Sequence, residues 1–162
     1  MNKLERIKNK IVAHRSELTE ILQELASKKI VFTNGCFDLL HKGHIDYLAK
    51  ASDFGDFMII GLNTDDSVSR LKGPHRPIQD QSSRAYIMAA LEFVDLVVYF
   101  DEDTPYDLIK QVQPHVLVKG ADYKPEDIVG YDVVMAKGGE VKTMEFLPGY
   151  STSAIENKIK TT

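Results

Sequence analysis

The chain reads as an α/β protein: a doubly wound, five-stranded parallel sheet with helices on both faces, preceded by a helical N-terminal extension. Three observations predict this. From residue 29 onward, short apolar β-branched runs alternate with segments of helical period, and that alternation implies a parallel sheet covered on both sides. No internal repeat or low-complexity tract interrupts the order. The 162 residues suit one domain, which would bury roughly 70% of the surface its unfolded form exposes and needs no disulfide stapling.

In chain order, Leu4, Ile7 and Ile11, then Leu18, Ile21, Leu22 and Leu25, recur at three- and four-residue steps. This spacing predicts two amphipathic helices broken near His14–Ser16, with Ser16 capping the second. We take residues 1–28 as the extension, a packing or self-association element, and 29–162 as a single α/β domain. Lys29-Ile30-Val31-Phe32 is the first strand and Ile45 to Ser52 a helix. Phe57 to Leu62 is the second strand, and Thr64 to Leu71 a short helix capped by Asn63 or Thr64. Gly73-Pro74-His75-Arg76-Pro77 is a loop. Ser82 to Glu92 is helical, Leu96 to Phe100 the third strand, and Pro105 to Gln111 a helix opened by proline. Val116 to Val118 is the fourth strand, Ile128 to Ala136 a helix, Val141 to Phe146 the fifth strand, and Ser151 to Ile159 the last helix. Ligands of such sheets bind beyond the strand C-termini at the switch point of strand order.

His41-Lys42-Gly43-His44 lies where the first strand hands over to a helix. Residues three apart share a helical face, so both imidazoles can address an occupant of that helix N-terminus. Unpaired N–H groups and the positive dipole end make an anion the natural occupant. Gly43 has no Cβ to block a close approach by phosphate. Helix capping or a structural zinc are the plainer readings. Zinc is the weaker, because Cys36 is the only cysteine and no second histidine pair follows at finger spacing. Neither G-x-G-x-x-G nor G-x-x-x-x-G-K-[ST] is present, which disfavours a dinucleotide oxidoreductase or a P-loop NTPase.

Charge is uneven. Residues 1–29 hold seven Lys/Arg against four Glu, while the remainder holds thirteen against twenty acids. An acidic body excludes a broad nucleic-acid footprint, so small anions must be held by a few placed cations. One cysteine, no apolar leader and no apolar run of membrane length predict a soluble, cytoplasmic protein without membrane contact.

Gly35-Cys36-Phe37-Asp38, His41-Lys42-Gly43-His44 and Gly149-Tyr150-Ser151-Thr152-Ser153 occur in that order. The set resembles the cytidylyltransferase-like branch of the nucleotidyltransferases, whose G-x-F-D and H-x-G-H pair at this separation and whose last helix opens on a Ser/Thr triplet. Thr33 to His41, Arg70-Leu71-Lys72-Gly73, Arg76-Pro77, Asp101 to Pro105, Val118 to Pro125 and Gly138 to Val141 look like the adenylyltransferase domain of the bacterial heptose-1-phosphate enzymes. Many members fuse that domain behind a sugar kinase, so the resemblance implies a stand-alone transferase with a Rossmann-like fold of nucleotidyltransferase type.

The resemblance implies ATP-dependent adenylyl transfer to D-glycero-D-manno-heptose 1-phosphate, with ATP as substrate and Mg2+ carried by its triphosphate. Cytidylyl transfer to glycerol 3-phosphate or another polyol phosphate stays open, as does a noncatalytic nucleotide sensor. Partners are then a nucleoside triphosphate and a sugar phosphate, with a homodimer or higher homo-oligomer as an open alternative to a monomer. The implied catalytic groups are His41, His44 and Lys72, the histidines acting as donors because a sugar phosphate needs no general base. The implied nucleotide-binding residues are Thr33, Asn34, Gly35, Phe37, Gly43, Arg84, Lys119, Gly120, Asp122, Tyr123, Ser151, Thr152 and Ser153. Asp38, Asp65, Lys72 and Arg76 are the implied acceptor contacts. No protein metal site is expected, and Asp101-Glu102-Asp103 reads as the acidic start of a helix.

Overall fold

The computed structural model describes residues 1–162. Its sheet has six strands, all parallel: β1 (Ile11–Val12), β2 (Ile30–Gly35), β3 (Phe57–Asn63), β4 (Leu96–Phe100), β5 (Val116–Gly120) and β6 (Glu140–Met144), in the order β1-β4-β3-β2-β5-β6. Five strands were expected; the sixth is β1. Ile11 and Val12 pair with Val97 and Val98, and Val97 N donates to Lys10 O at 2.7 Å. A two-residue strand has no period of its own, and Ile11 continues the helical stripe of Leu4 and Ile7. The segment read as a helical extension therefore supplies a sheet edge.

The helices are α1 (Lys3–Lys8), α2 (Arg15–Glu24), α3 (Lys42–Ser52), α4 (Asp65–Lys72), α5 (Gln81–Ala90), α6 (Tyr106–Val112), α7 (Tyr131–Ala136) and α8 (Thr152–Thr161). Ser16 lies inside α2, and His14 takes the cap position without a side-chain cap bond. The helix expected from Ile128 begins only at Tyr131, because Gly130 turns left-handed at φ 90° after a 3-10 turn at Pro125–Asp127. No helix is long and apolar enough to cross a membrane.

Alternation along each strand sends side chains to two cores. Val31, Met58, Ile60, Val97, Val116 and Val118 pack with Leu48 of α3 and Met88 of α5. Ile30, Phe32, Ile59, Val98 and Leu117 pack with Leu18 of α2 and Leu108 and Ile109 of α6 on the other face. Strand order reverses at β2: the chain runs outward through β3 and β4, then returns to β5 on its far side. The crevice between the C-terminal ends of β2 and β5 is thus the switch point.

Leu18 is fully buried in the second core although its helix belongs to the N-terminal segment. Leu18→Ala should lower the unfolding free energy by about 2–5 kcal/mol, the usual cost of a buried leucine cavity. Urea denaturation followed by circular dichroism checks this; a loss below about 1 kcal/mol would mean that α2 is not part of the packed core.

Candidate active site

The site grows from the end of β2. Thr33-Asn34-Gly35 finishes the strand, and Phe37 then takes a left-handed φ of 46°, unusual for a bulky residue. Gly35 makes room: a Cβ there would come within 2.9 Å of the Phe37 ring. This turn delivers His41 to the N-cap position of α3.

The two histidines cap that helix reciprocally. Gly43 N donates to His41 Nδ1 at 3.1 Å and His41 N donates to His44 Nδ1 at 3.3 Å, with the rings stacked 3.9 Å apart. Each Nδ1 therefore acts as acceptor, which leaves each neutral ring its Nε2–H as donor. The space beside Gly43 is taken by the His41 ring, 2.9 Å from where a Cβ would stand. The glycine thus serves the histidine cap, and the open approach expected there is filled. Burial lowers both imidazole pKa values; His44, also facing His41 and Lys72, falls to about 4.

A cavity of about 210 Å³ opens beside His44. Lys72 at the end of α4, Lys119 and Gly120 at the end of β5, Thr152 at the start of α8, and Asn34 through Asp38 face it. Burial pulls the Lys119 ammonium down to about 8, with Cys36 nearby opposing that shift. Tyr47 and Phe146 stack at 5.9 Å in its wall, and Gly120 lies so close beneath Phe146 that any Cβ would strike the ring. Sequence reading missed both aromatics. Tyr47 was detectable, three residues from His44 on the same helical face; Phe146, beyond the end of β6, carried no signal. Ser151 caps α8, its hydroxyl accepting from Ala154 N at 3.0 Å. Lys42 and the His41 ring approach Tyr150, so the starts of α3 and α8 lie together.

Other expected contacts are engaged elsewhere. Arg84 is completely buried: Nε donates to Gln79 O at 3.0 Å, one Nη to Cys36 O at 2.7 Å and Asn63 O at 2.8 Å, and the other to Asp65 Oδ1 at 2.8 Å. Four of its five N–H groups are spent on the scaffold, as is Asp65 Oδ1. Thr33 is buried, its hydroxyl 3.0 Å from Tyr47 Oη. Asp38 accepts from Ile78 N and Gln79 N at 2.8 Å and so anchors the loop after α4. Arg76 Nε stands 3.1 Å from Asp38 without hydrogen-bond alignment, and its Nη1 pairs with Glu156 on α8. Asp122 and Ser153 are exposed and lie outside this cavity. Asp101 and Asp103 pair with Arg70 and Glu102 with Arg15, so the largest cleft, about 680 Å³ beside β1 and β4, has its cations neutralised by its own acids. No group of three or more His, Cys, Asp or Glu is arranged to hold a metal ion.

The family model described as cytidylyltransferase-like matches residues 32–158, the stretch that builds this cavity. The chain belongs to that family. Among curated relatives, the bifunctional protein HldE of Campylobacter curvus is 56% identical over 144 residues, covering 89% of this chain and 30% of the relative. That of Geobacter metallireducens is 56% identical over 137 residues, covering 85% of this chain and 28% of the relative. The chain thus spans about a third of the length of these relatives. A lipopolysaccharide core biosynthesis protein from Thermoplasma volcanium superposes with a TM-score of 0.58 at 27% identity, over 74% of this chain and 97% of its own. A pantoate-beta-alanine ligase from Francisella tularensis, at 18% identity and a TM-score of 0.63 over 94% of this chain and 78% of its own, shares the fold.

In this cytidylyltransferase-like site His44 should stay neutral in the free protein until pH falls to about 4. Folding lowers its pKa from the ordinary 6.5, so the folded state binds fewer protons and stability falls as pH drops from 6.5 toward 4. NMR titration of the imidazole nitrogens should give a midpoint near 4, moving upward when a triphosphate is added. A midpoint near 6.5 in the free protein would contradict burial as its cause.

Proposed function

We propose that the chain is an ATP-dependent adenylyltransferase that makes ADP-heptose from D-glycero-D-manno-heptose 1-phosphate. The observation that carries this reading is the convergence of His44, Lys72, Lys119 and the start of α8 on one cavity at the switch point. The likeness to HldE proteins and to a lipopolysaccharide core biosynthesis protein favours a surface-sugar acceptor.

In the proposed reaction an oxygen of the sugar 1-phosphate attacks the α-phosphorus of ATP. The bond from that phosphorus to the β-phosphate bridge oxygen breaks, and pyrophosphate leaves. The attacking phosphate is already ionised near neutral pH, its second pKa being about 6 by analogy with phosphoserine, so no base must remove a proton. Catalysis becomes positioning and charge neutralisation. Capping leaves each neutral histidine an Nε2–H to donate, and His44, which lines the cavity, would direct its own at a phosphate oxygen. Lys72 supplies a flexible point charge to the α-phosphate or the incoming phosphate. Thr152 and the N–H groups opening α8 receive the β- and γ-phosphates. Magnesium arrives on the triphosphate, with phosphates and water as its principal ligands.

The test is magnesium-dependent pyrophosphate release from ATP, CTP, GTP and UTP, each with heptose 1-phosphate anomers and with glycerol 3-phosphate. Release confined to ATP with a heptose 1-phosphate is expected, and Lys72→Ala should reduce kcat by about a hundredfold or more, the loss typical of one transition-state donor. Release only from CTP with a polyol phosphate would make the enzyme a cytidylyltransferase. Nucleotide binding without release from any pair would make it a sensor.

A further inference from the structure

A second cavity, also about 210 Å³, opens beside the first and shares Asn34, Lys119 and Tyr123 with it. Its own polar wall is Asp103 and Thr104 between β4 and α6, and Asp127 at the end of the 3-10 turn; the rest is apolar. Its volume holds about seven waters at liquid density, the scale of one monosaccharide.

The two cavities differ in chemistry. The first offers Lys72 and His44 to phosphate, together with the stacked Tyr47 and Phe146 rings that suit a planar base. The second presents two carboxylates, which repel phosphate and accept hydrogen bonds from hydroxyls. The Asp127 carboxylate has no ion-pair or hydrogen-bond partner within the protein, whereas Asp103 already receives Arg70 Nε at 3.1 Å. Asn34 Oδ1 is buried and accepts no hydrogen bond. A buried acceptor without a donor costs stability, so one placed at a cavity calls for a donor from the ligand.

We propose that the second cavity is the polyol subsite of the acceptor. Asp127 and Thr104 bind its hydroxyls, Asn34 Oδ1 accepts from another, and Lys119 stands at the seam where the sugar gives way to its phosphate. This rests on the transferase reading above and adds where the sugar lies and which side chains select it. The assignment moves acceptor recognition away from Asp38 and Asp65, whose carboxylates hold the scaffold.

The variants to compare are Asp127→Ala, Asp127→Asn and Thr104→Val, all at exposed positions. Pyrophosphate release would be measured for each, first varying heptose 1-phosphate at saturating MgATP, then varying MgATP. The KM for the sugar phosphate should rise about tenfold in Asp127→Ala, the worth of one charge-assisted hydrogen bond, and less in Asp127→Asn. The KM for ATP and kcat should hold within about twofold. A rise in the KM for ATP with the acceptor KM unmoved would put the nucleoside in this cavity and overturn the proposal; so would no change in either. If the wild type turns over a different polyol phosphate and the same variants raise that acceptor's KM, the heptose reading falls and the subsite stands. A wild type that neither binds nor turns over any sugar or polyol phosphate, by calorimetry with a nonhydrolysable ATP analogue present, removes both.

Discussion

A single buried guanidinium holds the floor of this site together. Arg84 donates to the carbonyls of Cys36, Asn63 and Gln79 and to the Asp65 carboxylate. Those four partners belong to the turn after β2, the end of β3, the loop before α5 and the first turn of α4. A charge without solvent is tolerated only where its donors are satisfied, and here four of the five N–H groups are placed. The position of β2 relative to β3 and of the loop relative to both is therefore tied to one side chain. Asp38 repeats the device with opposite sign, its carboxylate pinning Ile78 N and Gln79 N. Between these two anchors runs the loop that follows Lys72, so that cation is attached to a frame held at both ends.

The second constraint is the capping of α3. A helix start leaves N–H groups without partners, and in most proteins a serine or aspartate answers them. Here two imidazoles do so. Using Nδ1 as the acceptor fixes each neutral ring with Nε2–H as its donor. The same bonds that stabilise the helix therefore preset the group offered to a ligand. Gly43 is required because the His41 ring occupies the space where a Cβ would stand. A motif with the look of a phosphate loop is, by its own hydrogen bonds, a self-satisfied cap.

How far the sequence could be read follows from the range of the forces involved. β2, α3 and the His-x-x-His turn are determined by neighbours in sequence, and local period revealed them. β1 exists only because Val97 and Val98, far along the chain, offer a free edge. Arg84, near the start of a helix, looked like a phosphate ligand; the Asn63 and Cys36 carbonyls that consume its donors are 21 and 48 residues away. Asp65 and Asp38 look like sugar contacts in the sequence for the same reason, their partners being out of view. Asp103 seemed a helix-start acid, yet it meets Arg70 and lines a cavity with residues of the β5–α7 connection. Sequence thus reported the chemical character of each residue reliably and its availability poorly, since availability depends on what else has been brought near.

An acidic chain proposed to bind two polyanions faces a conflict, and the site keeps its cations few and its imidazoles neutral. The histidines are held neutral by burial, and Lys119 sits at about 8. Full positive charge in a partly buried cavity would be self-repelling and costly. An arriving phosphate changes the balance, because negative charge within hydrogen-bond reach raises the pKa of every one of these groups. Charging of the Lys119 ammonium is therefore coupled to the arrival of an anion. The imidazoles hold their Nε2–H donors in place beforehand, with Nδ1 engaged in the cap, so they can meet phosphate oxygens without taking up a proton. In the proposed reaction, stabilisation of this kind would grow as negative charge accumulates around the α-phosphorus, which is the condition for it to favour the transition state over bound ATP.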